Sequence, residues 1–185
     1  MKNIFVIILL AMMSDAQAQV IIGDATGTAA DKTSVLLEFA AGQNKGIIVP
    51  YVRSLPTSNA LVGGSIILDA TTATNARMKF YNGTSWVDLS GQNGNLTSPV
   101  NYLTVQPDAT VAPETAASKT IIGAVSSTAD GVLVLESNTK AMVLPTVLDV
   151  QNIPSPSPGM MVYVNKTGAK RLAVFNGTKW SFWKP

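Results

Sequence analysis

The sequence predicts an all-β protein made of two copies of one small unit. Three observations predict it. Short apolar runs bounded by Gly, Pro, Asn or Ser recur along the chain, each too short for an ordinary helix. The tract Tyr81-Asn82-Gly83-Thr84-Ser85-Trp86 returns as Phe175-Asn176-Gly177-Thr178-Lys179-Trp180. Further matches precede that tract in both halves, in the same order.

The first segment, 1–18, reads as a secretory signal peptide. Lys2 supplies the positive start, residues 4–13 are apolar, and Ala16-Gln17-Ala18 is a small-x-small cleavage site. The apolar run is far shorter than the roughly 20 residues that span a bilayer as a helix. The mature chain is expected to begin at Gln19 and to be secreted or held at the cell surface, with no transmembrane segment after cleavage.

The first repeat unit is placed at 19–90. Ile21-Ile22-Gly23 opens it and matches Ile121-Ile122-Gly123. Leu36-Leu37-Glu38 matches Val134-Leu135-Glu136, and Lys45-Gly46-Ile47-Ile48-Val49-Pro50 matches Lys140-Ala141-Met142-Val143-Leu144-Pro145. Gly64-Ser65-Ile66-Ile67-Leu68 matches Gly159-Met160-Met161-Val162-Tyr163, and the aromatic tract closes the unit. The offset falls from 100 at Ile21 and Ile121 to 94 at Asn82 and Asn176, as small loop deletions would produce. The second unit is placed at 120–185.

Strands are predicted at Val35 to Phe39, Gly46 to Pro50, Ser65 to Leu68, Val132 to Leu135, Met142 to Leu144 and Met160 to Val164. Pro50 and Pro145 each end or kink a strand, since proline cannot donate to a ladder. Arg53 to Leu61 and Thr146 to Ile153 read as short helical turns. Residues 91–119 are rich in Gly, Pro, Ser, Thr and Asn. They read as a partly extended linker with one strand near Asn101 to Gln106, or as an ordered loop packed between the units.

Asn-Gly between alternating runs signals a hairpin, and a type I′ loop at Asn82-Gly83 is expected. It places Tyr81 opposite Thr84, Lys79 opposite Trp86 and Arg77 opposite Asp88. One face then carries Met78, Phe80, Val87 and Leu89. The other carries Arg77, Lys79, Tyr81, Trp86 and Asp88. An Arg77–Asp88 pair is worth ~0.2–1 kcal/mol, and Lys79 over Trp86 about 0.5–1 kcal/mol. In the second copy Phe175 opposes Thr178 and Ala173 opposes Trp180. Tyr81, Trp86, Phe175 and Trp180, with Lys79 and Arg77, form the candidate ligand or partner face. Two readings stand for it: a sugar-stacking platform, or a hairpin packed against protein.

Composition narrows the chemistry. The 185 residues contain no cysteine and no histidine. That removes the commonest zinc and copper ligands, the Ser-His and Cys-His nucleophile pairs, and the usual neutral-pH proton shuttle. The formal charge is +2, from 13 basic and 11 acidic side chains, so nothing attracts nucleic acid strongly. Glu38 and Glu136 occupy equivalent positions and read as polar strand ends rather than an acid–base pair. The acidic residues lack calcium-loop spacing. No catalytic residue, cofactor or metal is expected, and the protein reads as a non-enzyme. Asn82, Asn95, Asn165 and Asn176 begin Asn-x-Thr sequons, two of which are the hairpin turns themselves.

The succession Leu36-Leu37-Glu38, Lys45-Gly46-Ile47-Ile48-Val49-Pro50, Tyr81-Asn82-Gly83-Thr84-Ser85-Trp86 resembles a repeat of secreted and cell-surface proteins of the Bacteroidota that are similar to phage tail-fibre proteins. The resemblance covers both units. It departs after the prolines, where Tyr51 and Thr146 stand in place of the family's arginine, and it includes no C-terminal chaperone-like domain. It implies a surface location, a structural or adhesive role, and partners that are other surface proteins or further copies of the chain, a homotrimer among them. Carbohydrate binding through the hairpin aromatics, with a glycan as partner, is the alternative.

Overall fold

The computed structural model describes residues 19–57, 61–104, 110, 113, 115 and 118–183. The expected signal peptide lies outside the described residues, as does part of the expected linker. The described chain is all-β. Strands β1 (Val20–Ile22), β2 (Val35–Phe39), β3 (Ile47–Ile48), β4 (Tyr51–Val52), β5 (Ile66–Asp69), β6 (Arg77–Tyr81) and β7 (Trp86–Asp88) come from the first half. Strands β8 (Thr120–Ile122), β9 (Leu133–Leu135), β10 (Ala141–Met142), β11 (Thr146–Val147), β12 (Met160–Val164), β13 (Arg171–Phe175) and β14 (Trp180–Trp183) come from the second.

The duplication is visible in the pairing. β4 runs parallel to β5, with Tyr51 opposite Leu68, and β11 runs parallel to β12, with Thr146 opposite Tyr163. β5 pairs antiparallel with β6, Ile66 opposite Phe80, as β12 pairs with β13, Met161 opposite Val174. β6–β7 and β13–β14 close each sheet. Parallel pairs open each half: β1 with β2, and β8 with β9. Here the register differs. Ile21 lies opposite Glu38, but Ile121 lies opposite Val134, the counterpart of Leu36. A shift of two residues keeps every side chain on its own face.

The halves exchange strands at the two prolines. Before Pro50, β3 pairs antiparallel with β12 of the second half; after it, β4 joins β5 of its own half. Before Pro145, β10 pairs parallel with β2 of the first half; after it, β11 joins β12. Both prolines still accept, Pro50 O from the Leu68 amide and Pro145 O from the Tyr163 amide, each at 2.9 Å. Proline is tolerated because it breaks the strand where the chain passes from one sheet to another.

Two cores result. The first joins Leu68, Ala70, Ala76, Met78 and Leu96 to Met161 and Val174 of the other half. The second packs Val147 and Ile153 against Met160, Val162, Val164, Ala173 and Phe175. Strands β12 and β13 are thus covered on both faces, Met161 and Val174 by the first core and Val162, Val164 and Ala173 by the second. Each fully buried Leu, Met, Val or Phe side chain among them contributes about 1.5–3 kcal/mol.

Four local expectations are corrected. The strand expected near Asn101 to Gln106 is, over its described part, a 3-10 turn at Tyr102–Thr104; residues 105 and 106 lie outside those described. The second predicted helical turn is limited to a 3-10 turn at Val150–Asn152, capped by Asp149, because Thr146 and Val147 belong to β11. The first, Arg53 to Leu61, falls partly on residues outside those described, and 53–57 carry no helix. The hairpin loops hold four residues, not two. Tyr81 lies opposite Trp86 and Phe175 opposite Trp180.

The loop chemistry explains the difference. Asn82 Oδ1 accepts from the amides of Thr84 and Ser85 at 2.9 and 2.8 Å, and Asn176 Oδ1 from those of Thr178 and Lys179 at 3.0 and 2.9 Å. Asparagine acts here as a side-chain turn former. Positive φ falls on the glycines alone, 95° at Gly83 and 99° at Gly177. The two-residue shift leaves the predicted faces unchanged.

Candidate assembly interface

The six predicted face residues do not share one exposed platform. Tyr81 and Trp86 are half-buried, with ring centroids 5.4 Å apart at 53°. The Trp86 indole donates to Pro56 O at 3.4 Å, so its own half covers it. Phe175 and Trp180 meet at 5.2 Å and 43°, but Phe175 is buried in the second core and Trp180 packs against it. Phe175 is therefore withdrawn from any stacking surface. Lys79 turns away from Trp86 to Asp69, at 2.6 Å, and the expected cation–π pair gives way to an ion pair. Arg77 forms the expected ion pair with Asp88, although Lys79 rather than Arg77 lies opposite it, and also reaches Asn93 Oδ1. The cation–π contact falls in the second half, with Arg171 4.2 Å above the Phe182 ring.

The charged face is internally satisfied. Burial raises the Asp69 pKa, but Lys79 and the Thr71 amide and hydroxyl outweigh it and hold the carboxyl below its ordinary value. Asp88 behaves alike: burial is overcome by Arg77, by the Ser90 hydroxyl and amide, and by the Gly91 amide. Such carboxylates are structural anions, already saturated with donors. Among the described residues no group of three or more acidic side chains could hold a metal ion. Among the same residues no helix is long and apolar enough to cross a membrane.

The second hairpin is instead a docking site for the chain that follows the first. Gln92 Nε2 donates to Trp180 O and Ser181 Oγ at 3.1 and 2.9 Å, and the Asn95 amide to Thr178 Oγ1 at 2.8 Å. Asn176 Nδ2 donates to Gln92 O at 2.8 Å, and Trp183 Nε1 to Leu89 O at 2.8 Å. The two asparagines therefore differ in weight. Asn176 is fully buried and Asn82 exposed. Replacing Asn176 by alanine leaves two loop amides and Gln92 O without partners inside the protein, which is expected to lower stability by about 2–3 kcal/mol. Asn82→Ala lets water replace the lost bonds and is expected to cost about 1 kcal/mol. Urea unfolding of the two variants side by side measures the difference.

An ordered loop packed between the units was one of the two readings for residues 91–119, and Gln92 to Leu96 pack in that way; sequence reasoning did not name the hairpin on which they dock, and it missed the strand exchange. The matched tracts that end at Pro50 and Pro145 marked the crossing points without showing which sheet each strand would join. Around the first crossing lies an apolar cleft of about 490 Å³, lined by Ile48, Val49, Pro50, Tyr51, Val100 and Tyr102. Tyr51 donates to Pro158 O at 2.6 Å, and burial, with Tyr102 adding to it, pushes its pKa up to about 12. Ile48, Val100, Val132, Leu133 and Leu148 are large apolar side chains left exposed. Ile48 of β3 and Leu133 of β9 sit on edge strands, where an unpaired ladder is a template for another strand.

Residues 121–184 match the family model described as "Phage tail like trimerisation region". The second repeat is similar to a phage-tail trimerisation region. That match spans β8 to β14 and supports the tail-fibre-like resemblance drawn from the motifs. No curated protein and no solved structure matches the chain.

Proposed function

We propose that this chain is a non-catalytic structural protein that assembles as a homotrimer through its β repeats, and that it works after export as a tail-fibre-like surface or adhesive element. The single observation that carries the reading is the trimerisation-region match over the second repeat. The exposed apolar side chains on strand edges give that match a physical counterpart. Saturated carboxylates and the lack of histidine and cysteine agree with a role without chemistry.

Lysine-directed chemical cross-linking of the exported protein tests it. A ladder ending at three chains, from material whose N-terminus is Gln19, is the expected result. A single band at one chain under conditions that cross-link a known trimer refutes it.

A further inference from the structure

We infer that the contact between the two repeats inside one chain is repeated between copies, head to tail, by strand exchange at the proline crossings. The inference rests on the self-association proposed above and names the surfaces that carry it. Backbone amides point alternately to the two edges of a strand. In β3, Ile47 lies opposite Met161 and the Val49 amide donates to Gly159 O at 3.1 Å, so Ile47 and Val49 face β12. In β10, the amides of Ala141 and Val143 donate to Ser34 O and Leu37 O, each at 2.8 Å. Ala141 and Val143 are the counterparts of Gly46 and Ile48. β10 therefore uses the edge that β3 leaves unused, and leaves unused the edge that β3 uses.

A strand of this kind has two partners: a β2-type strand from the preceding repeat and a β12-type strand from the following one. Within one chain each crossing strand meets only one of them. The missing partners are also present, on the wrong ends of the chain to meet. The counterpart of β2 is β9, which among the described residues pairs with β8 alone. Val35 is 5% exposed beneath β10, whereas its counterpart Leu133 is 48% exposed. The counterpart of Met160-Met161, where β3 docks, is Ser65-Ile66; β4 pairs only with Leu68 and Asp69 and leaves that part of the edge uncovered.

The second repeat of one copy thus presents β9 and the free edge of β10, and the first repeat of the next presents β5 and the free edge of β3. β10 docks antiparallel on β5 with Val143 opposite Ser65, and β3 docks parallel on β9, covering Leu133. The occupant is a second copy of this chain. The contact is heterologous, and three copies in succession close it into a ring, leaving no crossing strand half-paired.

The absence of cysteine makes the test direct. Ser65 and Val143 correspond to Met160 and Ile48, which form a pair without mutual hydrogen bonds, spaced at about 4.5 Å between Cα atoms and within disulfide reach. Oxidation of the Ser65→Cys, Val143→Cys variant is expected to give disulfide-linked species up to three chains, lost on reduction. Ile66→Cys with Met142→Cys reports the same contact and is expected to agree. Ile48→Cys with Ser65→Cys reports first repeat meeting first repeat, and is expected to give no link between copies. A trimeric wild-type protein whose head-to-tail pairs do not link, or whose 48–65 pair links instead, overturns this inference and leaves the proposed function standing. A monomeric wild-type protein overturns both.

Discussion

Gly94→Ala is expected to destabilise the protein by about 3 kcal/mol, one of the two largest single-residue effects anticipated. Gly94 bridges two halves of the fold. Its amide donates to Ala76 O at 2.8 Å, and its carbonyl accepts from the Ala76 amide at 2.9 Å. On its other side a Cβ would lie 2.0 Å from Asn176 O, a backbone atom held inside the second hairpin. Neither neighbour can yield cheaply. Ala76, Leu96 and Asn176 are all fully buried, and the segment is fixed by bonds from Gln92 and Asn95 to Trp180 and Thr178. The methyl group must push the segment off the hairpin and open the core that contains Leu96. Gly131→Ala is the matched control, since nothing lies closer to its added Cβ than Val134 Cγ2 at 3.7 Å. Urea midpoints should fall for the first variant and stay put for the second.

The second large effect belongs to Glu38. Its side chain is fully buried, and four donors converge on it. The amides of Thr28 and Ala29 donate to Oε2, each at 2.8 Å, while Lys32 Nζ and Gln19 Nε2 donate to Oε1, each at 2.5 Å. Glu38 thus ties the loop between β1 and β2 to the sheet. Glu38→Ala leaves those donors facing a void and is expected to cost about 3 kcal/mol.

Burial raises the Glu38 pKa, but the Lys32 ammonium and the two loop amides outweigh it, so the carboxyl titrates below its ordinary value. A group with a lowered folded pKa binds fewer protons folded than unfolded. Its stabilisation is complete above about pH 5 and is lost as the pH falls through the folded value. The wild-type urea midpoint should therefore hold from neutrality to about pH 5 and drop in acid. Asp69 and Asp88, also lowered, contribute to the same drop. Glu38→Gln should start lower at pH 7 and fall less steeply below pH 5. An unchanged acid slope contradicts the assignment.

Much of the fold was legible because strand periodicity and the duplication are local signals. The run Met160 to Val164 is predicted and found with the same bounds, and equivalent residues such as Ile66 and Met161 pair equivalently. The hairpin faces survived a wrong loop length because a two-residue slip conserves side-chain direction. The strand exchange was not legible. Ile47-Ile48 can hydrogen-bond to any edge with the same geometry, and the choice of β12 over β5 is made by tertiary packing. The role of Glu38 was hidden for a similar reason. Its donors come from loop backbone at Thr28 and Ala29, whose residue types carry no mark of it. Phe175 and Tyr81 occupy matching positions, yet only the first is buried, because the two hairpins are covered by different segments.

The assembly proposed for these repeats holds three chains. Sedimentation equilibrium of the mature protein at micromolar concentration tests it most directly. A single species with three times the mass of one chain is expected. A single species with the mass of one chain contradicts it.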